Sequence, residues 1–289
     1  MSLSKIALKL FGKFIDRYND FFQPVKESIP KANLKMTYKT YLSLGMFIIT
    51  LVFFVSVLVS FFVFRFFGKT FVEACFYSLI ISMIISMIEF VFMFYYPINR
   101  AASRRRSIES NLPFVITHMG ALSQTGIPPY VMFKLISKFD EYGEIAKEMK
   151  KIVRNIEVFG MDPITAIKEV AKRTPSEQFR QLLMGFVTTT ESGGNIKLYL
   201  KEVGEQIMFE WRTKREKYIR FLDTFSELYT GIVIAAPLFL ISLLAVMSML
   251  QPTIGGWDIL TLTKLSTYLV IPIINIGFIL FLHGIEVEM

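Results

Sequence analysis

Four long apolar stretches constrain this chain more than any other feature of its sequence. They lie at about Tyr41–Phe64, Phe71–Tyr96, Tyr229–Leu250 and Ser266–His283. A helix that crosses a bilayer needs about 20 apolar residues, a length that the first three exceed and the fourth only approaches. Hydrophobic residues make up 53% of the 289-residue chain, more than an ordinary soluble domain contains. The sequence therefore predicts an all-α integral membrane protein.

Short connections join the four stretches in pairs. Only Arg65–Thr70 separates the first two, and only Gln251–Leu265 separates the last two. We therefore expect two transmembrane helical hairpins that flank a large polar segment. The predicted organisation is an N-terminal segment (1–40), a first hairpin (41–96), a helical domain (97–228) and a second hairpin (229–289).

The positive charges predict how the chain is oriented. The net charge is +8, and the cations cluster in the N-terminal 40 residues and at both ends of the middle segment, whereas the two short loops hold only Arg65, Lys69 and Lys264. The positive-inside rule then places the N-terminus, the middle segment and the C-terminus in the cytoplasm, with the hairpins in the plasma (inner) membrane. This explains the charge without a nucleic-acid partner.

The N-terminal segment has an amphipathic pattern. Its apolar residues recur at Leu3, Ile6, Leu10, Phe14 and Phe21. Lys5, Lys9 and Lys13 lie on another face, as in a helix that lies in the membrane surface. A helix packed on the cytoplasmic domain fits the pattern equally well, and the sequence leaves both interpretations open.

Residues 97–228 have the periodicity of a helical bundle. One apolar stripe comprises Ile145, Met149, Ile152, Ile156 and Phe159, and another comprises Phe179, Leu182, Leu183 and Phe186. This 3.6-residue spacing predicts about six helices that bury a core of their own.

Glycine, proline and capping residues mark the ends of these helices. Gly126–Pro129 and Gly160–Pro163 each end one helix and begin another, with Asp162 as an N-cap and Pro163 at the first helical position. Thr174–Glu177 predicts a capping box in which Thr174 is the N-cap. Ser192–Asn195 interrupts the next pair of helices.

We find no pattern that predicts catalysis, a cofactor or a metal site. Cys75 is the single cysteine, and His118 and His283 are far apart in sequence. Gly68-Lys69-Thr70 resembles the end of a phosphate-binding loop, but Val63 stands where that motif needs a glycine. We therefore expect a protein that is not an enzyme.

Two acidic residues fall inside the second apolar stretch. Glu73 lies near its outer end, where an interfacial carboxylate that reaches water is expected. Glu89 lies about two turns before the cytoplasmic end. A carboxylate at that depth is costly and predicts either a protein contact or a snorkelling, protonated side chain.

The middle segment resembles a known family. Leu112-Pro113-Phe114, Ala121 to Pro128, Gly160 with Pro163, and Glu191 to Ile196 are similar, in order and spacing, to the type II secretion F domain. That family comprises membrane platform proteins of type II secretion, type IV pili, tight-adherence pili and the archaellum. The resemblance implies a non-enzymatic platform whose partners are a hexameric secretion ATPase, prepilin-like subunits, and a second copy or a paralogue. The single F domain is half the cytoplasmic content of the classical secretion platforms.

Within this framework we predict two groups of partner-binding residues. The basic group comprises Arg104, Arg105, Arg106, Arg212 and Arg215. The second group comprises Asp162, Glu191, Gly193, Gly194 and Asn195. The alternatives are that the cations only fix topology and attract lipid, and that Gly193-Gly194 only forms a tight turn with Asn195 as a cap. A transporter or channel subunit remains the competing function.

Overall fold

A computed structural model describes residues 3–251 and 253–284. Apart from one short β-hairpin, the described chain is helical, which confirms the all-α prediction. The helices are α1 (Leu3–Arg17), α2 (Gln23–Lys31), α3 (Tyr38–Phe66), α4 (Phe71–Gln124), α5 (Pro129–Ile136), α6 (Glu144–Glu157), α7 (Pro163–Arg173), α8 (Glu177–Glu191), α9 (Ile196–Tyr229), α10 (Ala236–Leu250), α11 (Ile259–Leu265) and α12 (Ile271–Gly284). The chain divides into two compact units, residues 1–205 and 206–289.

Within the described residues, four helices are long and apolar enough to cross a membrane, which supports a multi-pass membrane protein. They span Tyr38–Phe66, Phe71–Gln124, Ile196–Leu250 and Ile259–Leu282. The fourth is 24 residues long, because it begins at Ile259 within the segment expected to be a loop. The second and third are 54 and 55 residues long, so the helices continue far beyond the predicted apolar stretches.

Small residues form the contact between α3 and α4. Ala74, Ser78 and Ser82 follow one another at helical spacing on α4 and are fully buried. Small side chains let two helices approach closely where lipid provides no hydrophobic driving force. Thr70 and Glu73 form a capping box at the start of α4, so the Glu73 carboxylate accepts a hydrogen bond from the Thr70 amide.

A tyrosine of α3 compensates for a proline inside α4. Pro97 lacks an amide hydrogen, so it cannot donate to the carbonyl of Met93 four residues earlier. The Tyr41 hydroxyl donates to that carbonyl at 2.9 Å. The two helices of the first hairpin are thereby joined at the predicted cytoplasmic interface, and α4 continues through Pro97 without a break.

Two π-helical segments lie within residues 206–251 and 253–284, each just before a proline. Thr230–Ala235 precedes Pro237, and Ser266–Val270 precedes Pro272. Local π geometry is one way in which a membrane helix accommodates a proline. The loop before α11 is a short β-hairpin that the sequence did not predict, with β1 (Thr253–Ile254) antiparallel to β2 (Trp257–Asp258).

The N-terminal helix packs on the first membrane helix, which neither of the two sequence interpretations anticipated. Lys39 of α3 forms an ion pair with Asp16 at 2.7 Å, and Ile15 is buried in one cluster with Leu42. Leu10 and Phe14 of the predicted apolar face are 62% and 48% exposed. That face is therefore free for lipid or for another protein.

Helices α5 to α8 pack with the end of α4 as a bundle. Ile145, Met149 and Ile152 are buried, as are Phe179, Leu182, Leu183 and Phe186, which confirms most of the predicted core. Two residues of the predicted stripe differ, since Ile156 is only partly buried and Phe159 is 64% exposed.

The predicted capping box at Thr174 is wrong. The N-cap of α8 is Ser176, whose hydroxyl accepts a hydrogen bond from the Phe179 amide at 3.3 Å. Glu177 is consequently the first helical residue, and Thr174 follows the end of α7.

Candidate functional site

The loops that carry the family-like motifs gather at one end of the bundle. Lys168 of α7 pairs with Glu191 at the end of α8 at 2.6 Å, and Lys134 of α5 pairs with Glu157 at the end of α6 at 2.7 Å. The Lys197 ammonium at the start of α9 lies 3.5 Å from the carbonyl oxygen of Gln124. We call this end the distal tip, comprising residues 125–128, 158–162 and 191–195. Its residues 125–128 follow the end of α4 at Gln124, about 40 Å beyond Tyr96 along that helix.

Three glycines make the turns of the distal tip possible. Gly126, Gly160 and Gly193 have φ values of 74°, 63° and 68°. A Cβ atom at any of them would meet nothing within 4 Å. Glycine is therefore favoured at these positions by the positive φ and not by a shortage of space. Gly194 differs, because it has no positive φ and a Cβ there would lie 3.2 Å from the carbonyl oxygen of Thr189.

The polar residues predicted at the distal tip cap its helices. Asp162 accepts a hydrogen bond from the Thr165 amide at 3.2 Å, and Asn195 accepts one from the Leu198 amide at 3.2 Å. Both predicted N-caps are therefore confirmed. Glu191 remains half-exposed while it pairs with Lys168. The tip thus combines capped helix ends with charged groups at its surface.

Two apolar side chains at the distal tip were not identified as surface residues from the sequence. Val158 and Phe159 are 69% and 64% exposed, and the Arg154 guanidinium lies 5.7 Å from the centre of the Phe159 ring. Exposed apolar residues beside charged ones are typical of protein contact surfaces. We therefore add both residues to the candidate site.

One ionised group at the tip is held by two neighbours. Hydrogen bonds from Lys134 and then from the Tyr130 hydroxyl lower the pKa of Glu157. Through these two contacts Glu157 fixes the start of α5 to the end of α6.

The structure places Arg104 inside the protein and not on its surface. Its side chain forms ion pairs with Glu144 at 2.6 Å and with Glu148, and it donates to the carbonyl of Lys31. Only 7% of the residue is exposed. Arg104 therefore has no surface to offer a partner in this conformation, and we withdraw it from the docking residues.

Arg105 and Arg106 lie on the exposed side of α4, away from the distal tip. Arg105 pairs with Glu109 at 2.8 Å, and Glu109 also accepts a hydrogen bond from Ser176 at the start of α8. Glu191 lies at the other end of that helix, roughly 20 Å away for 15 residues of α8. The two groups predicted from sequence are thus separate surfaces within residues 1–205.

Arg212 and Arg215 belong to the second compact unit and are exposed on α9. The Arg215 guanidinium lies 5.6 Å from the centre of the Trp211 ring. Lys214, Lys217 and Arg220 are exposed on the same helix. This stretch is the densest cluster of surface cations in α9.

Glu89 lines a groove between α3 and α4. The groove has a volume of about 350 Å³, and its other walls include Tyr41, Gly45, Ile48 and Met93. One carboxylate oxygen of Glu89 is buried without a hydrogen-bond partner in the described chain. The side chain therefore points towards the neighbouring helix and does not reach an internal donor.

The described residues contain no constellation typical of catalysis or metal binding. No three His, Cys, Asp or Glu side chains among them could hold a metal ion. The Nδ1 atom of His118 lies 3.0 Å from the Tyr142 hydroxyl, and its ring packs against Phe139. His118 is thus an interhelical residue within the bundle.

Comparisons with known proteins identify the domain. Residues 115–244 match the family described as type II secretion system (T2SS), protein F. An uncharacterised protein of Methanocaldococcus jannaschii is 30% identical over 66% of this chain and 32% of its own length. Flagella accessory protein J of Methanococcus voltae is 25% identical over 60% of this chain and 30% of its own length. The protein of the same name in Methanocaldococcus jannaschii is 28% identical over 50% of this chain and 26% of its own length. The alignments therefore cover about a third of these relatives or less. No solved structure matches the chain.

Proposed function

We propose that this chain, a member of the type II secretion system protein F family, is a non-enzymatic platform in the plasma membrane. In this role it couples a hexameric secretion ATPase to the assembly of a filament of pilin-like subunits. The single observation that carries the proposal is the position of the family match. Residues 115–244 begin inside α4 and end inside α10, so the helices that form the domain are the same helices that cross the membrane.

The named relatives favour an archaellum-like filament over the other members of the family. Both proteins with a functional name are called flagella accessory protein J. Since the alignments cover less than a third of those two proteins, the filament type and the partners of this chain remain part of the proposal. A type IV pilus or a type II secretion filament would use the same platform arrangement.

We place the bundle, the N-terminus and the C-terminus in the cytoplasm. Cations are concentrated in the sequence before α3, after the second apolar stretch and along α9, and the positive-inside rule assigns such flanks to the cytoplasm. This orientation presents the distal tip and the exposed cations of α9 to a cytoplasmic ATPase.

Two surfaces are suited to contact with the ATPase. The distal tip supplies the exposed apolar side chains of Val158 and Phe159, whereas α9 supplies a positive surface for an acidic partner. Charge complementarity mainly sets the association rate and the choice of partner. We propose that α9 guides the ATPase and that the distal tip forms the closer contact.

The test reverses two charges on α9. Arg212→Glu with Arg215→Glu leaves Lys214, Lys217 and Arg220 to hold the orientation, so insertion should survive. We expect co-purification of the host's assembly ATPase to fall at least tenfold and filament assembly to fail, since charge reversal at an interface both removes attraction and adds repulsion.

The matched control reverses Lys138 and Lys150, which are exposed on the bundle and lie outside α9. This variant changes the net charge equally and should bind the ATPase normally. Unchanged ATPase binding and filament assembly in the α9 variant, at low and at physiological salt, would refute docking on α9.

A second copy or a paralogue completes the proposed platform. The family resemblance implies two F domains in a classical secretion platform, and residues 115–244 match the family once. A symmetric assembly would also suit a hexameric ATPase.

The competing function is a transporter or channel subunit, and Glu89 favours it. An unpaired carboxylate in a membrane groove is a common feature of ion pathways. A proton pathway needs several such groups in sequence, and within the described membrane helices Glu89 is the only buried carboxylate with an unpaired oxygen. Normal filament assembly by a chain without Glu89, together with loss of an ion flux, would favour the transporter.

A further inference from the structure

A cationic cavity lies where the bundle meets the first membrane helix. Its volume is about 450 Å³, and it is formed by α2, the start of α3, α6 and α7. The charged side chains that line it are Lys26, Lys151, Arg154, Arg173, Glu148 and Glu169. Four cations thus face two carboxylates, so the cavity carries an excess of positive charge.

The two carboxylates are already neutralised by neighbouring cations. Glu148 accepts from Lys151 at 2.9 Å and from the buried Arg104 behind the cavity. Glu169 pairs with Arg173 at 3.3 Å and with Lys172 at 3.7 Å. The excess charge in the cavity is therefore not cancelled by acids within the described chain.

Two of the lining cations have no acidic partner. Lys26 and Arg154 form no ion pair among the described residues, and each lies against an aromatic ring instead, with the Lys26 ammonium 5.2 Å from the centre of the Tyr38 ring. An aromatic face orients a cation but does not neutralise its charge. These two side chains are consequently available to an anion.

The position of the cavity identifies the kind of anion. Tyr38 is the first residue of α3, and Met36 and Thr37 also line the cavity. In the proposed membrane placement this is the depth of the phosphate groups of the cytoplasmic leaflet. Basic pockets beside membrane helices on that side are suited to anionic lipid headgroups.

We infer that this cavity binds the phosphate headgroup of an anionic lipid of the cytoplasmic leaflet through Lys26 and Arg154, supported by Lys151 and Arg173. The inference rests on the membrane placement in the proposed function. The bound lipid links α2 and the start of α3 to α6 and α7, so it fixes the bundle relative to the first membrane helix.

The experiment measures lipid binding by the purified full-length chain. Native mass spectrometry of the chain in detergent, titrated with phosphatidylglycerol or phosphatidylcholine, should show one preferred phosphatidylglycerol per chain. Lys26→Gln with Arg154→Gln should weaken that binding by roughly tenfold to thirtyfold, from the contribution of each cation near a membrane surface. Lys138→Gln with Lys201→Gln, which changes the charge equally outside the cavity, should leave it within about twofold.

Three results would overturn the inference. The first is equal phosphatidylglycerol binding by the wild type and the cavity variant. The second is displacement of the lipid by inorganic phosphate at equal concentration, which would identify a soluble anion as the ligand. The third is displacement by a glutamate-rich peptide, which would identify an acidic protein segment.

Two features keep the result interpretable. Lys26→Gln alone removes no ion pair of the bundle, so it should fold normally and still weaken binding several-fold. The readout involves neither the ATPase nor the filament. Failure of lipid binding would therefore leave the ATPase experiment unaffected, and failure of ATPase docking would leave the lipid result unaffected.

Discussion

Replacing Arg104 by alanine should destabilise the bundle much more than replacing its neighbour Arg105. Arg104 holds Glu144 and Glu148 at the start of α6, and Glu148 is only 1% exposed. Removing one partner of a buried ion pair costs about 3–5 kcal/mol. Since Lys147 still pairs with Glu144 and Lys151 with Glu148, we expect the lower end of that range, about 3 kcal/mol.

The matched control is Arg105→Ala. Arg105 has an exposed side chain and a single ion pair, one turn away on the same helix. Such surface pairs contribute about 0.5 kcal/mol. The two substitutions remove the same chemical group from adjacent positions, so the difference between them reports the burial of Arg104 and its additional partners.

Hydrogen exchange followed by mass spectrometry is the suitable assay, because it reports on α6 directly in the detergent-solubilised protein. A loss of about 3 kcal/mol corresponds to roughly a hundredfold faster exchange of residues 144–157, against about twofold for Arg105→Ala. Equal exchange in the two variants would show that Arg104 is not buried in the functional protein. The docking role predicted from the sequence would then be restored.

The same ion pairs predict a pH dependence. Burial opposes ionisation of Glu144, but hydrogen bonds from Lys147 and Arg104 outweigh it and lower the pKa of this carboxyl. A lowered pKa in the folded state contributes stability above the unfolded value of about 4.3, and this contribution is lost as the pH falls through the folded value. In the wild type, we expect α6 to become less protected against hydrogen exchange when the pH is lowered below about 4.3. In Arg104→Ala, this loss of protection should be smaller.

Two further predictions concern the first hairpin and the orientation. Tyr41→Phe should destabilise the hairpin by about 1–3 kcal/mol in a denaturant titration, because the Met93 carbonyl loses its donor. Adding Pro97→Ala should recover most of that loss, because it restores an amide hydrogen that can donate to the same carbonyl. Equal effects of Tyr41→Phe with and without Pro97→Ala would contradict this account. A cysteine introduced by Asp140→Cys in a Cys75→Ser background should react with an impermeant maleimide in inside-out vesicles only, and labelling of intact cells would reverse the proposed orientation.

Local signals in the sequence predicted much of the fold. Gly160, Asp162 and Pro163 each impose a backbone requirement that does not depend on the rest of the protein, and the turn forms as predicted. The apolar stretches likewise require helices, because backbone groups in a membrane must be satisfied internally.

The sequence predictions were wrong where tertiary contacts determine which side chain is buried or which residue caps a helix. Arg104 and Arg105 are adjacent in sequence but point about 100° apart on a helix, so one is buried and the other is exposed. Thr174 and Ser176 are both acceptable caps, and Ser176 serves as the cap while its hydroxyl also reaches Glu109 of α4. Phe159 follows the end of α6 at Glu157, so the helical period no longer determines which way it faces.

The continuity of α4 has a mechanical consequence. This helix runs from Phe71 to Gln124 beside the distal tip, and Tyr41 holds it to α3 at Met93. If Met93 acts as the pivot, about 45 Å of helix lie on the side proposed to face the ATPase and about 33 Å lie in the proposed membrane span. A tilt of about 10° would then displace the tip by roughly 8 Å and the outer end by roughly 6 Å in the opposite direction. A push on the bundle would thus become a sideways movement at the far face of the membrane, without any change in the length of the helix.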